Sequence, residues 1–180
     1  MDNGASSYRR FLDGDESAVR DIMDELFYSL VFFVDRYVRD VHAAEDIAMD
    51  VMSDLFVHRH RYNFRSSLKT YLFMRGKSRA LDLLRHRKVI DFTELSEDCS
   101  ATDGDLEARV LEDESRRELN AALGRLPGEM RVAVHLVYFE EMSYDEAAKV
   151  MGKNRKQIDN LLYRAKKELR DLLGEEAYRQ

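Results

Sequence analysis

Apolar residues along this chain recur at spacings of three and four rather than two, and no convincing alternating run breaks the pattern, which predicts helices throughout. The clearest case lies near the C-terminus, in "GKNRKQIDNLLYRAKKEL" from Gly152 to Leu169. At about 100° per residue, Ile158, Leu161, Leu162, Ala165 and Leu169 share one stripe, while Arg155, Lys156, Asp159, Asn160, Tyr163 and Arg164 fall opposite. Asn154 is placed to cap the first turn, with Gln157 as a reciprocal partner. Just upstream, "SYDEAAKVMG" offers Ser143 as N-cap, Glu146 three residues on, a short helix through Ala147 and Ala148, and Gly152 where the chain turns. Two short helices joined by a glycine turn, the second basic outward, predict a helix-turn-helix. An ordinary helical hairpin with a solvated face is the competing reading, and the caps, the turn glycine and the clean separation of faces argue against it. The preceding "LPGEMRVAVHLVYFEEM" predicts a supporting helix, with Pro127 in its first turn and Val132, Leu136 and Val137 as its packing face.

Two segments stand out nearer the N-terminus. In "AEDIAMDVMSDLF", Asp46, Asp50 and Asp54 form an acidic stripe, and Ile47, Val51 and Leu55 form an apolar one about 100° around the same helix. Such carboxylates suit a basic protein surface, a solvated face or, with His58 and His60, a metal; the alternating spacing of the histidines counts against the metal. The second segment, "RYNFRSSLKTYLFMRGKSRALDLLRHRK", interleaves Tyr62, Phe64, Tyr71 and Phe73 with cations. Arg75, Arg79 and His86 lie on one side of its helix, Leu72, Ala80 and Leu84 towards another, and Arg85, Arg87 and Lys88 close it. The mixture suits single-stranded nucleic acid, where cations track phosphates and exposed aromatics stack on unpaired bases. Core packing is the alternative for the aromatics, above all for Phe73.

Composition sharpens this picture. One proline, eight glycines and 36% charged residues among 180 favour helices over sheets. Cys99 is the single cysteine, which excludes an internal disulfide and a multi-thiolate metal site and fits a reducing compartment. "MDNGASSYRR" has no apolar signal core, and "LFYSLVFFV" is too short to span a bilayer, so a soluble, cytoplasmic protein without membrane insertion is expected. The formal net charge is −6, yet the acidic excess concentrates between Val89 and Glu114, where Arg109 is the one basic residue. That stretch reads as a flexible acidic linker, residues 89–114, between helical domains at 1–88 and 115–180. The expected fold is therefore all-α, with two small domains.

The ordered combination of "AEDIAMDVM", "FRSSLKTYLFMRGKSRALDLLRHRK", an acidic stretch and "LPGEMRVAVHLVYFEEMSYDEAAKVMGKNRKQIDNLLYRAKKEL" resembles a bacterial sigma factor of the extracytoplasmic-function group of the sigma-70 family. The resemblance implies a promoter-specificity subunit of RNA polymerase without catalytic residues, cofactors or metal of its own. It implies that Glu45, Asp46 and Asp50 dock on the clamp helices of the largest catalytic subunit. The segment from Phe64 to Lys88 would open and read the minus-ten element through Tyr71, Arg75, Lys77 and Arg79. The helix from Asn154 would read the minus-thirty-five element through Arg155, Lys156, Asn160 and Arg164. Core polymerase, including its flap region, promoter DNA and an anti-sigma factor are the implied partners, and the free chain is expected to be a monomer. Tyr71 stands where the family usually has Trp, Ser78 where Asn is common, and Asp159 where many members have Lys.

Two other classes make different predictions. A stand-alone dimeric helix-turn-helix regulator would bind palindromic DNA without polymerase and needs a self-complementary apolar face, for which "LFYSLVFFV" is the candidate. A helical metal-dependent hydrolase would use Asp46, Asp50 and the nearby histidines and would bind a divalent metal tightly.

Overall fold

A computed structural model of the protein describes residues 4–93 and 114–173. The chain divides into two compact units, Met1–Asp103 and Gly104–Gln180, and all regular elements among the described residues are helical.

The first unit is built around α2 (Ser17–Val38), which packs against α1 (Ala5–Leu12), α3 (Val41–Val57) and α4 (Leu68–Thr93). The three-to-four spacing of Ile22, Leu26, Leu30, Phe33 and Val34 makes this possible, and all five are buried. "LFYSLVFFV" is thus the centre of this unit's core, and of its large apolar residues only Tyr28 is widely exposed, at 65%. The self-complementary face required by a dimeric regulator is already spent inside the unit. Gly76 on α4 lets that helix approach α2 closely, since a Cβ there would meet Leu30 Cδ1 at 2.8 Å and Val34 Cγ2 at 3.1 Å. Gly76→Leu is expected to destabilise the first unit by about 1–3 kcal/mol through overpacking, read as a lowered midpoint in denaturant unfolding.

Arg39 turns the chain in the left-handed region, φ 52°, and Asp40 then caps α3 by accepting from the Ala43 N–H at 3.1 Å. The Arg87 guanidinium donates to the same carboxylate at 2.9 Å, tying the far end of α4 to the start of α3. Arg87, followed by the Ala43 N–H, holds the Asp40 carboxyl below the usual carboxylate range. α4 runs on to Thr93, past the boundary expected at Lys88. No glycine or proline lies between Gly76 and Gly104 to stop it. The remainder of the expected linker, with Cys99, lies outside the described residues.

In the second unit, α8 (Arg155–Leu173) is the packing centre for α5 (Glu114–Arg125), α6 (Gly128–Val134) and α7 (Tyr144–Met151). The predicted supporting helix differs from expectation in two ways. Pro127 stands at its N-cap rather than inside the first turn, and from His135 to Phe139 the backbone widens into a π-helical turn. The Glu140 N–H closes that turn on the His135 carbonyl at 3.0 Å. Wider winding brings residues five apart onto one side, so His135 and Glu140, both buried, meet with Nε2 3.2 Å from Oε1. An α-helical wheel would have separated them by well over a quarter turn.

Candidate nucleic-acid and polymerase interfaces

The helix-turn-helix forms as its caps dictate. Ser143 Oγ accepts from the Glu146 N–H and the Glu146 carboxylate accepts from the Ser143 N–H at 3.0 Å, closing a capping box. Gly152 then adopts φ 66°, the left-handed turn that a side chain disfavours. Asn154 Oδ1 accepts from the Gln157 N–H and Gln157 Oε1 accepts from the Asn154 N–H, both at 2.9 Å. With both ends defined, Ile158, Leu161, Leu162, Ala165 and Leu169 are all buried, and Arg155, Lys156, Asp159, Asn160, Tyr163 and Arg164 are all exposed.

Lys156, Asn160 and Arg164 follow one another at four-residue steps along the outer face. Arg155 is placed differently, because its Nη1 lies 3.1 Å from Asp145 Oδ2 and its guanidinium sits over the Tyr144 ring at 5.8 Å. Both partners of that ion pair are exposed, so it is worth no more than about 1 kcal/mol and yields readily to a stronger partner. Tyr163, 74% exposed in the same outer row, was visible on the wheel but offered no chemistry that singled it out.

In the first unit, Tyr71, Arg75 and Arg79 form a row at four-residue steps on α4, whereas Lys77 lies about 200° around the helix from Arg75. Phe73 and Tyr62 are buried, with Phe73 against Phe33 at a ring distance of 4.5 Å. Tyr71 is half-buried beside Tyr62, with ring centroids 5.3 Å apart. Tyr62 in turn lies 4.7 Å from the Phe64 ring. Phe64 differs from its neighbours, being 36% exposed, under the Arg9 guanidinium, and at φ 60°, a left-handed conformation that a bulky residue adopts only when its surroundings impose it.

Those surroundings are specific. The one proton of the buried Tyr8 hydroxyl is shared between the Arg59 carbonyl at 2.8 Å and, more weakly, the Leu55 carbonyl at 3.2 Å, at and just beyond the end of α3. Burial pushes that hydroxyl's pKa up to about 12. The Tyr62 hydroxyl donates to the Ser66 carbonyl at 2.6 Å, and Asn63 accepts from the Arg65 N–H. The segment between α3 and α4 is thus tied down at both ends with an aromatic ring held up at its tip.

On α3, Asp46 and Asp50 are exposed and Glu45 is half-buried, while Ile47, Val51 and Leu55 face the core. Asp54, the third member of the expected acidic stripe, is engaged otherwise. Arg61 Nη1 reaches both of its oxygens at 2.7 and 2.8 Å, Arg75 Nη2 lies 3.3 Å away and His58 Nε2 3.5 Å. Partial burial pushes the Asp54 carboxyl up, but Arg61, His58 and Arg75 outweigh it and hold the group below its ordinary range. A carboxylate already occupied by two guanidinium groups is not a metal ligand. Among the described residues no cluster of three or more His, Cys, Asp or Glu could hold a metal ion.

Sequence and structure comparisons agree with this layout. Residues 27–89 match sigma-70 region 2 and residues 116–169 match sigma-70 region 4, one in each unit. The chain belongs to the sigma-70 family. The sigma factor is 26% identical over 157 residues to the extracytoplasmic-function factor SigM of Bacillus subtilis, covering 83% of this chain and 94% of that one. It is 29% identical over 166 residues to the sigma factor CarQ of Myxococcus xanthus, covering 92% and 95%. Its fold is similar to that of CnrH in complex with the cytosolic domain of CnrY, with a TM-score of 0.66, 18% identity and coverage of 98% and 99%. It is also similar to RpoE of Bartonella quintana in complex with the anti-sigma factor NepR, with a TM-score of 0.64, 22% identity and coverage of 86% and 95%. The two matched regions and the near full-length relatives place the sigma factor in the extracytoplasmic-function group.

Proposed function

We propose that this RNA polymerase sigma factor divides promoter recognition between its units. The acidic face of α3 at Glu45, Asp46 and Asp50 docks on the clamp helices of the polymerase. The row of Tyr71, Arg75 and Arg79 engages the unpaired minus-ten strand, and Lys77, well around α4 from that row, makes its promoter contact separately. The outer face of α8 at Arg155, Lys156, Asn160 and Arg164 reads the duplex minus-thirty-five element, and the second unit meets the flap region. The division falls at the expected linker, residues 89–114, of which α4 takes the first part to Thr93 and α5 the last residue, Glu114.

The observation that carries this reading is the separation of charge. A chain of net charge −6 displays exposed cations on the outer faces of α4 and α8 and exposed carboxylates on α3. Its long-range field opposes free DNA, and each phosphate contact contributes only about 0.9 to the salt slope, so these few contacts work once polymerase has brought DNA to them. No helix among the described residues is long and apolar enough to cross a membrane. The protein works in the cytoplasm and is a monomer when free. The chain acts without cofactor or catalysis of its own, and an anti-sigma factor holds it in reserve; the similar fold of RpoE of Bartonella quintana, in complex with the anti-sigma factor NepR, supports such a partner.

Selection from a random duplex library tests the reading. Reconstituted holoenzyme is expected to return a two-part, non-palindromic sequence, and the free protein to return none. A palindrome selected by the free protein would favour the stand-alone dimeric regulator.

A further inference from the structure

The Asp54 carboxylate draws together three parts of the first unit: α3, on which it stands, the segment between α3 and α4 through Arg61 and His58, and α4 through Arg75. Arg75 belongs to the row with Tyr71 and Arg79, and Arg61 lies three residues before the exposed, left-handed Phe64. Two guanidinium charges meet one carboxylate, so one positive charge remains over for a phosphate. The Asp54 side chain is only 17% exposed, against 51% for Arg61 and 40% for Arg75, so it lies beneath the two cations it holds. A group with that placement orients cations towards an incoming strand without itself meeting the phosphates.

We infer that Asp54 is a positioning residue for capture of the unpaired promoter strand, fixing Arg61 and Arg75 and the Phe64 loop in the arrangement that the strand meets. Strand capture by this unit is itself the reading given under Proposed function, and the inference rests on it. Asp54 makes the binding surface specific in shape at the cost of part of its charge. If its only effect were to mask positive charge, removing it would strengthen binding to any strand. If it orders the surface, removing it weakens binding to the cognate strand.

The test uses holoenzyme and a fluorescent unpaired oligonucleotide carrying the downstream element of the promoter selected above. Asp54→Asn keeps the shape of the side chain but removes its charge. It is expected to weaken oligonucleotide binding by about tenfold, the scale of a lost charge-assisted contact. Its core-polymerase affinity and unfolding midpoint are expected to remain near wild type, and Asp54→Glu is expected to recover most of the binding. Binding by Asp54→Asn that is unchanged or tighter would overturn the inference. So would a loss that core affinity and the midpoint share, or one that Asp54→Glu does not relieve, since either marks general damage. If wild-type holoenzyme itself fails to bind the oligonucleotide, the strand-capture reading falls, and the inference with it.

Discussion

Reversing Asp46 and Asp50 together to arginine is expected to abolish polymerase binding while leaving the first unit folded. Both side chains are exposed on α3 and face away from Ile47, Val51 and Leu55, so the substitutions leave the core untouched. Surface changes remote from packed or capped positions usually alter stability by no more than about 0.5 kcal/mol. Against a basic surface the effect is much larger, because each reversal replaces an attraction with a like-charge juxtaposition costing several kcal/mol at an interface. Two such reversals correspond to about a hundredfold loss of affinity or more, and because encounter is steered by charge the association rate is expected to fall as well. Titration of labelled protein with core enzyme measures both. The helix-turn-helix lies in the other unit, and its folding is expected to be unaffected.

The complementary substitution is Arg155→Ala with Lys156→Ala, which is expected to weaken minus-thirty-five recognition and leave core affinity unchanged. Neither side chain contributes to the buried stripe of α8, and the Arg155 to Asp145 ion pair that is lost is exposed on both sides. A good bidentate contact to a base edge carries about 1–3 kcal/mol of discrimination, so losing two such side chains is expected to reduce holoenzyme affinity for the duplex element by about thirtyfold to ten-thousandfold. The two residues are distinguishable in a salt titration. A side chain that reads a base relaxes sequence preference when removed, whereas one that holds a phosphate lowers the salt slope by about 0.9 and leaves the preference intact.

Much of this arrangement was legible in the chain because it is local. Ser143 with Glu146, Gly152, and Asn154 with Gln157 act within three or four residues of one another, and the buried stripe of α8 follows from helical periodicity alone. The membership of both units in one family was legible too, through the order of several such segments. Features decided by distant partners were not. Asp54 continues the stripe of Asp46 and Asp50 in sequence, but Arg61 and, 21 positions on, Arg75 engage it, and no wheel contains that information. The π-helical turn escaped for a related reason, since periodicity is read against a fixed pitch and the widened backbone brings His135 to Glu140 only after that pitch changes. Phe64 read as one aromatic among four. Its left-handed backbone lies in a segment whose Arg59 carbonyl accepts from Tyr8, 51 positions away, and such a tie leaves no mark on a helical wheel.

The division of labour between the two units is tested most directly by co-elution with core RNA polymerase on a sizing column, with the wild-type protein and the two double variants run side by side. The wild type and the Arg155→Ala, Lys156→Ala variant are expected to co-elute with the enzyme, and the Asp46→Arg, Asp50→Arg variant to elute alone in its folded form. Co-elution of the charge-reversed protein, or loss of polymerase binding in both variants, would contradict the assignment of docking to α3 and of duplex reading to α8.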